Sequence, residues 1–352
     1  MAKKTSDALA GVRSALKAWT TPLLPDDYTG LLNPLWSTRE LRGQIRSVTR
    51  HGNDTISLDV TPGWGVPVDF KPGQFIGIGV QVAGRYIWRS YSLTNVAGKG
   101  ETFSVTVKAH QGGKLSEHLV ETAQPGLNIR LAQPAGDFYL PEPLPEKLLF
   151  LAAGTGITPI VSMLRTLGET SPGHDAVLIY SARTRDDALF LEELEQIPGL
   201  SLHLQLTSEA GRVTPADIEN IVPDFAERAA FACGPAEMLS ALEQWWEGGV
   251  DKHYALRTER FTLDRTSDAV GGEITYGSRG SVVADGATTI LEAAESIDIQ
   301  LPYGCRMGIC HTCVRQISDG KAHNLHTGEV HEAGSRIRTC VCVAHGDLTL
   351  DV

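Results

Sequence analysis

Three cysteines in one short run, Tyr303-Gly-Cys305-Arg-Met-Gly-Ile-Cys310-His-Thr-Cys313, together with a fourth at Cys340, constrain this 352-residue chain more than any other feature. A C-x4-C-x2-C spacing with a distant fourth thiol is that of a plant-type [2Fe–2S] site, in which four thiolates hold two irons. Gly304 and Gly308 suit such a loop, because a chain wrapped round a cluster brings backbone N–H groups up to its sulfurs. A structural zinc site is the alternative, but zinc favours paired C-x2-C units set far apart. The candidate metal ligands are therefore Cys305, Cys310, Cys313 and Cys340. A centre of this kind moves one electron at a time, so the rest of the chain is expected to feed it.

Composition removes several function classes. A net charge of -11 argues against nucleic acid as the partner. No run of eighteen apolar residues is present, so no transmembrane segment is expected. Lys3 and Lys4 are not followed by the apolar run of a signal peptide. Six cysteines, four of them assigned to the cluster and two (Cys233, Cys342) without an evident disulfide partner, point to a reducing, cytoplasmic setting.

The chain divides by pattern into four stretches. Residues 1–38 form an N-terminal extension in which Leu9, Val12, Leu16 and Trp19 recur at helical spacing. Pro22, Pro25 and Pro34 then leave Leu31, Leu32, Leu35 and Trp36 in a non-periodic apolar cluster. This arm is read as covering a groove on the body, with contact to a membrane surface or a partner as the alternative. Residues 39–142 hold short alternating runs separated by Gly and Pro turns. Phe103, Val105 and Val107 face one way there, and Ser104, Thr106 and Lys108 the other. Gln74 to Val80, Tyr86 to Leu93 and Asn128 to Leu131 read similarly, which suggests a small antiparallel barrel.

In residues 143–262 the pattern changes to buried strands alternating with helices. The strands are read at Leu148–Ala152, Ala176–Tyr180, Leu202–Leu206 and Ala229–Ala232. The helices are read from Thr158, with Pro159 in the first turn, and over Asp187–Gln196, Thr214–Ile221 and Ala236–Trp246. Such alternation builds an open parallel sheet. A polar link, Thr262 to Gly272, opens the last stretch, 263–352. It contains a hairpin (Glu273–Tyr276, Ser281–Val283), a Thr289-x-x-Glu292 capping box before a helix over Ile290–Ser296, the cysteine loop and a closing strand over Leu348–Val352.

Three motifs carry chemistry besides the thiols. Arg89-Ser-Tyr91-Ser92 ends a barrel strand and offers a guanidinium for phosphate, an aromatic face for a flavin ring and a hydroxyl for the flavin N5. Gly112-Gly113-Lys-Leu-Ser116 precedes a helix, where backbone amides can approach a pyrophosphate. Gly154-Thr-Gly156-Ile-Thr158-Pro follows a buried strand and suits a dinucleotide phosphate, although the third glycine of G-x-G-x-x-G is absent. Cys233-Gly234-Pro ends a later strand of the same sheet, where a thiol could meet a nicotinamide; a small buried cysteine is the plainer alternative. Arg183 and Arg185 follow the strand ending at Tyr180 and favour NADPH over NADH, with Asp186 and Asp187 read as a helix start.

Taken in order, these motifs resemble the ferredoxin–NADP reductase superfamily with a C-terminal plant-type ferredoxin domain, over about residues 40–352. The resemblance implies a multidomain protein: an antiparallel β-barrel flavin domain, an α/β parallel-sheet nucleotide domain and an α+β β-grasp ferredoxin domain. It makes Ser92 and Cys233 the groups flanking the flavin–nicotinamide contact. It also places Glu259-Arg-Phe261 near the flavin, with Phe261 stacking on the ring. The implied cofactors are FAD, with FMN the alternative, a [2Fe–2S] cluster, and NADPH, with NADH the alternative.

Leu32-Asn-Pro-Leu-Trp-Ser37 and Pro62-Gly-Trp-Gly65 resemble stretches of actinobacterial reductases that feed membrane-bound acyl-CoA desaturases. The function so implied is electron transfer from NADPH through FAD and the cluster to an acceptor protein, a membrane-bound di-iron desaturase or an oxygenase. Peripheral contact with a membrane would go with the first acceptor. The alternatives are the reductase component of a Rieske or di-iron ring or alkane oxygenase, and a redox sensor without turnover.

Overall fold

Residues 25–37, 40–82, 85–248, 253–261, 267–303, 306, 308 and 311–352 are described by a computed structural model. The period-2 stretch forms β1 (Arg42–His51), β2 (Thr55–Pro62), β3 (Phe75–Val82), β4 (Arg85–Ser92), β5 (Phe103–Lys108) and β6 (Asn128–Leu131). They pair antiparallel in the order β4-β3-β6-β1-β2-β5. A bridge between Leu93 and Val105 closes the sheet into a barrel. Ile45, Leu58, Ile76, Ile78, Phe103 and Val105 fill it. Thr106, expected to face solvent, is buried. Its hydroxyl meets Ser57 at 2.7 Å, Ser57 meets His51 at 2.8 Å, and His51 packs edge-on against Phe190 of the next domain. The outer face of these strands is thus a domain interface.

The alternating stretch forms β7 (Lys147–Ala153), β8 (Asp175–Ala182), β9 (Leu200–Leu206), β10 (Ala229–Cys233) and β11 (Arg257–Glu259), all parallel in the order β11-β10-β7-β8-β9. Their near-continuous apolar runs follow from burial on both faces. Phe150, Tyr180 and Phe231 pack on one side, and Leu149, Ile179 and Trp246 on the other. At the N-terminal ends of the strands Arg228 bonds Asp175 and Asp224 and the carbonyl of Leu148, which ties β10, β7 and β8 together.

The helix expected over Asp187–Gln196 is a single turn, Leu191–Leu194. Asp187 is captured by Thr184 (2.8 Å) and Arg183, and Phe190 adopts φ 63°, so the segment up to Phe190 is a turn.

The last domain has β12 (Gly272–Tyr276), β13 (Ser281–Ala284), β14 (Val314–Asn324), β15 (Val330–Glu332), β16 (Arg336–Arg338) and β17 (Cys342–Asp351). Its sheet runs β13-β12-β17-β14-β15, with β16 also on β14, and β12 parallel to β17 in a β-grasp arrangement. The closing strand begins at Cys342, earlier than expected, because the whole of β17 pairs with the long β14. The capping box forms as expected, with Thr289 and Glu292 bonding each other's backbone N–H.

At the start of the described chain, Leu31 and Leu32 lie on a helix, α1 (Pro25–Leu32), rather than in an irregular cluster. They are 83% and 80% exposed and so cover nothing themselves. Trp36 instead stacks on Trp64 with ring centroids 5.0 Å apart. The stripe Leu9, Val12, Leu16 and Trp19 lies outside the described residues, as do Thr262, Gly304, Cys305 and Cys310. No helix among the described residues is long and apolar enough to cross a membrane.

Candidate redox site

In an open parallel sheet the chain turns away on both sides of a strand where the order reverses, and a crevice opens outside the carboxyl ends there. Here that point lies between β7 and β10, and both glycine motifs sit on it. β7 runs into Gly154–Gly156 and then helix α2 (Ile157–Thr170), while β10 ends at Cys233-Gly234. A Cβ on Gly156 would stand 2.0 Å from the Cys233 carbonyl oxygen, so only glycine lets the two turns pass this closely. Thr158 is buried, and its hydroxyl donates to the Thr155 carbonyl (2.9 Å), shaping the turn rather than facing outward.

Cys233 is fully buried, and burial holds its thiol well above the usual range, with Glu259 adding to the effect. Glu259 stands opposite Cys233 in the β10–β11 register. Its own burial pushes the carboxyl up to about 8, and Oε2 has no hydrogen-bond partner within the protein. At neutral pH this carboxyl is mostly protonated. Phe261, two residues on, is 42% exposed and open to a planar ligand.

The barrel brings a second set of unsatisfied groups. Ser90 Oγ, Tyr91 OH and Ser92 Oγ, consecutive at the end of β4, are buried without a hydrogen-bond partner within the protein. Burial raises the Tyr91 phenol far above its ordinary value, against the opposing pull of Arg89, so it stays a hydrogen-bond donor. Three orphaned hydroxyls in a row carry a penalty of about 1–3 kcal/mol each unless a polar ligand meets them. The polar edge of a flavin would meet them. Arg89 donates to the Trp88 carbonyl at 2.8 Å.

Gly112 and Gly113 form the turn into a nine-residue helix, Lys114–Thr122, whose N-terminus is the electropositive end a pyrophosphate needs. Ser116 Oγ accepts from His110 N–H (3.2 Å) and donates to the Gly113 carbonyl (3.2 Å), bracing that turn. The chain just past Ser92 is pinned to α2: Ser162 donates to the Asn95 carbonyl (2.8 Å) and Arg165 to the Thr94 carbonyl. The end of β4 is therefore registered against the helix that follows the Gly154–Gly156 turn.

Beside that motif lies a cavity of about 350 Å³ bordered by Gly154, Ser181, Arg183, Arg212, Pro235 and Met238. Arg183 was expected there. Arg185 is not among its lining residues, and it pairs with Glu195 at 2.7 Å on the surface. The second cation at the cavity is Arg212, which sequence reasoning missed. It sits in the turn after β9, two residues before the Thr214 capping box, and a lone loop arginine carries no pattern of its own.

In the third domain Cys313 and Cys340 are buried with their sulfurs 3.2 Å apart. That is far longer than a disulfide and close enough for one iron to take both. Gly308, at φ 72°, packs where a Cβ would stand 2.9 Å from a methyl of Val341, which presses the cysteine loop onto the segment carrying Cys340. Arg338 donates to the Gly308 carbonyl at 2.6 Å. Cys342 is buried next to these ligands, and burial pushes its thiol up to about 12.

Comparison with known proteins agrees with each part. Three family models match in chain order: an oxidoreductase FAD-binding domain over residues 49–139, an oxidoreductase NAD-binding domain over 150–244 and a 2Fe-2S iron-sulfur cluster binding domain over 275–345. An NADPH oxidoreductase of Mycobacterium tuberculosis is 47% identical over 344 residues, covering 95% of this chain and 90% of the relative. The reductase subunit of a Pseudomonas aeruginosa glycine betaine monooxygenase is 29% identical, covering 80% and 87%. Phthalate dioxygenase reductase superposes with a TM-score of 0.60 at 22% identity, over 89% of this chain and 98% of that one. FAD, NAD(P)H and a [2Fe–2S] cluster are therefore the redox groups this architecture takes, and the orphaned hydroxyls and paired thiols fit them.

Proposed function

The chain belongs to the ferredoxin–NADP reductase family with a C-terminal [2Fe–2S] domain, and we propose that within it this protein is an NADPH-dependent reductase serving a membrane-bound acyl-CoA desaturase. The observation that carries the coenzyme choice is the pair Arg183 and Arg212 at the cavity beside Gly154. A sheet of this type selects the ribose at the end of its second strand, with an acid for a free 2′-hydroxyl and arginine for a 2′-phosphate. Here β8 ends in Ser181-Ala-Arg183 and supplies the arginine. The carboxylates close by, Asp187 and Glu237, are already paired with Arg183 and Arg212, in solvent-facing contacts weak enough to yield to a phosphate.

Bound together, the flavin and cluster supply the conversion of a two-electron hydride into single electrons, which a nicotinamide alone cannot perform. The chain's own work is to hold, orient and keep dry. Ser90, Tyr91 and Ser92 offer hydrogen bonds to the flavin edge, and Arg89 with the turn at Gly112, Gly113 and Ser116 holds its phosphates. Gly154, Gly156 and Thr158 shape the coenzyme pyrophosphate turn, while Cys233 and Gly234 floor the nicotinamide position and Phe261 covers the ring. Glu259 holds a proton beside it. Cys305, Cys310, Cys313 and Cys340 hold the cluster. On this reading residues 39–142, 143–262 and 263–352 are the flavin, nicotinamide and cluster domains, preceded by the extension 1–38.

The lipid-associated acceptor is supported by the apolar surface at the start of the chain. Tyr28 (46% exposed), Leu31 and Leu32 lie on α1, following a stretch with Lys3, Lys4, Arg13 and Lys17 against the single acid Asp7. An amphipathic basic segment with neighbouring exposed leucines suits a membrane surface. An anaerobic titration with NADPH and then NADH, followed by visible absorbance and EPR, tests the coenzyme and both redox groups. NADPH is expected to bleach the flavin and raise the reduced-cluster signal at the lower concentration. Equal response to NADH would remove the coenzyme assignment. Loss of acceptor reduction in desaturase-bearing membranes on deleting residues 1–38, with ferricyanide reduction intact, tests the acceptor.

A further inference from the structure

The domain that carries the four thiols is acidic, with eleven Asp and Glu against six Lys and Arg over residues 267–352. Charge is not spread evenly in it. The two segments that bring the thiols together, 299–318 and 333–346, contain no Asp or Glu at all, and they hold four of the six cations: Arg306, Arg315, Arg336 and Arg338.

The fold sets Arg306 and Arg338 at the cysteine loop and Arg336 beside Arg338, while Arg315, which pairs with Ile337, lies on the opposite face of the sheet. Arg306 lies in the cysteine loop, and Arg338 donates into that loop at Gly308. β16 pairs with the start of β14, directly after Cys313, with Val314 opposite Arg338 and Arg315 opposite Ile337. Ile337 is buried, so Arg336 and Arg338 project together from the other side of β16. Arg336 is exposed. Glu295 pairs with Arg306 itself and Glu332 with Lys321 (2.7 Å), and Asp351 stands across Gln316 from Arg336. Among the described residues no ion pair ties Arg315, Arg336 or Arg338 to the flavin or nicotinamide domains. Arg306, Arg336 and Arg338 therefore make a cationic collar on one side of the cysteine loop, on a chain of net charge -11.

From this we propose that the collar is the electron-exit docking surface, and that it fits an acceptor protein presenting carboxylates around its own redox centre. The inference rests on the reductase reading given above and adds the chemistry of the partner. Complementary charge of this kind steers encounter and fixes orientation more than it adds affinity. An arginine collar suits that role because its planar donors match carboxylates in pairs. The transfer itself is a single electron from reduced cluster to acceptor, with no bond formed and no proton moved.

The test uses the full-length holoprotein, reduced anaerobically with limiting NADPH and mixed with one of two one-electron oxidants of opposite charge, ferricyanide or tris(phenanthroline)cobalt(III). Freeze-quench EPR of the reduced-cluster signal follows the step at the cluster itself. The anion is expected to be favoured at low salt, with the preference fading as salt screens it. Arg336→Glu is expected to cut the ferricyanide rate about threefold or more at low salt and to raise the cobalt rate, while Arg315→Glu, on the opposite face, changes the preference less. Arg336→Lys should keep both rates. Polyglutamate binding, read by calorimetry on the same proteins, is expected for the wild type and weakened most in Arg336→Glu.

Normal reduction of flavin and cluster with no preference between the two oxidants would overturn the docking surface while leaving the reductase reading intact. Absence of any reduction by NADPH would overturn both. Slower flavin-to-cluster transfer in Arg336→Glu, with unchanged oxidant rates, would assign the collar to contact within the molecule. Arg336-dependent binding to phosphatidylglycerol vesicles without polyglutamate binding would assign it to lipid. Either result replaces the proposal.

Discussion

Replacing Glu259 by glutamine isolates the cost of keeping a carboxyl buried beside Cys233. Burial lifts that group from its ordinary 4.5 to about 8. Between those two values the folded protein holds a proton that the unfolded chain releases. Stability from this group is therefore greatest in acid and falls as pH rises, by up to about 1.4 kcal/mol per pH unit. Across the whole interval the loss is about 5 kcal/mol, and from pH 6 to 8 it is about 2 kcal/mol. In a domain of this size that corresponds to roughly 8 °C in melting temperature. The Glu259→Gln variant lacks the titration, so the gap between its melting curve and the wild type's should widen in the variant's favour across that range. Difference infrared spectra give an independent reading, since the protonated-carboxyl band should titrate near 8 in wild type and vanish in the variant. Parallel melting curves over pH 6–8, or a band lost near 4.5, would refute the reasoning and imply that water or a neighbouring cation reaches the carboxylate.

Three further outcomes are expected. Arg212→Ala and Arg183→Ala should each raise KM for NADPH about tenfold and leave NADH kinetics unchanged, with Arg185→Ala silent toward both coenzymes. Gly156→Ala places a methyl 2.0 Å from the Cys233 carbonyl, so a loss of roughly 3 kcal/mol in stability and of NADPH binding is expected by denaturant titration and calorimetry. Arg165→Ala removes a bidentate pair to Glu193 (2.6 Å at both nitrogens) and the bond to the Thr94 carbonyl, and hydrogen exchange at residues 93–97 should accelerate about tenfold while the sheet core is unchanged.

What could be read from sequence was what local physics decides. The buried strands announced themselves because β7 and β10 are apolar at nearly every position, and the capping box at Thr289 fixes where its helix begins. The order of the three redox domains was legible because each carries a motif with a particular residue type at a turn. What stayed hidden depends on partners far along the chain. Thr106 looks solvent-facing until the next domain covers it through His51 and Phe190. The stretch Asp187–Gln196 has the composition of a helix, but Thr184 and Arg183 claim Asp187 and Phe190 turns left-handed. Arg185 and Arg212 exchange roles for the same reason, since which loop arginine faces a cavity is settled by its ion-pair neighbours.

The same long-range logic explains why one helix serves both halves of the site. α2 opens at the Gly154–Gly156 turn and, further along, presents Ser162 and Arg165 to the Thr94–Asn95 carbonyls just past Ser92. Thr166 accepts from Ala97 N–H (3.2 Å), so the helix grips three successive points of the flavin-side strand exit. Arg165 also lies over the Phe190 ring at 4.9 Å, and the loop ending at Phe190 begins at Arg183, which lines the ribose-side cavity. A displacement of α2 would thus move the Gly154–Gly156 turn, the orphaned hydroxyls and Arg183 together. Hydride transfer requires reacting atoms held to within roughly half an ångström, and a shared rigid element is the least costly way to hold two domains to that tolerance. The cluster domain needs no such clamp, because electron transfer tolerates separation and the basic collar leaves that face free for another protein.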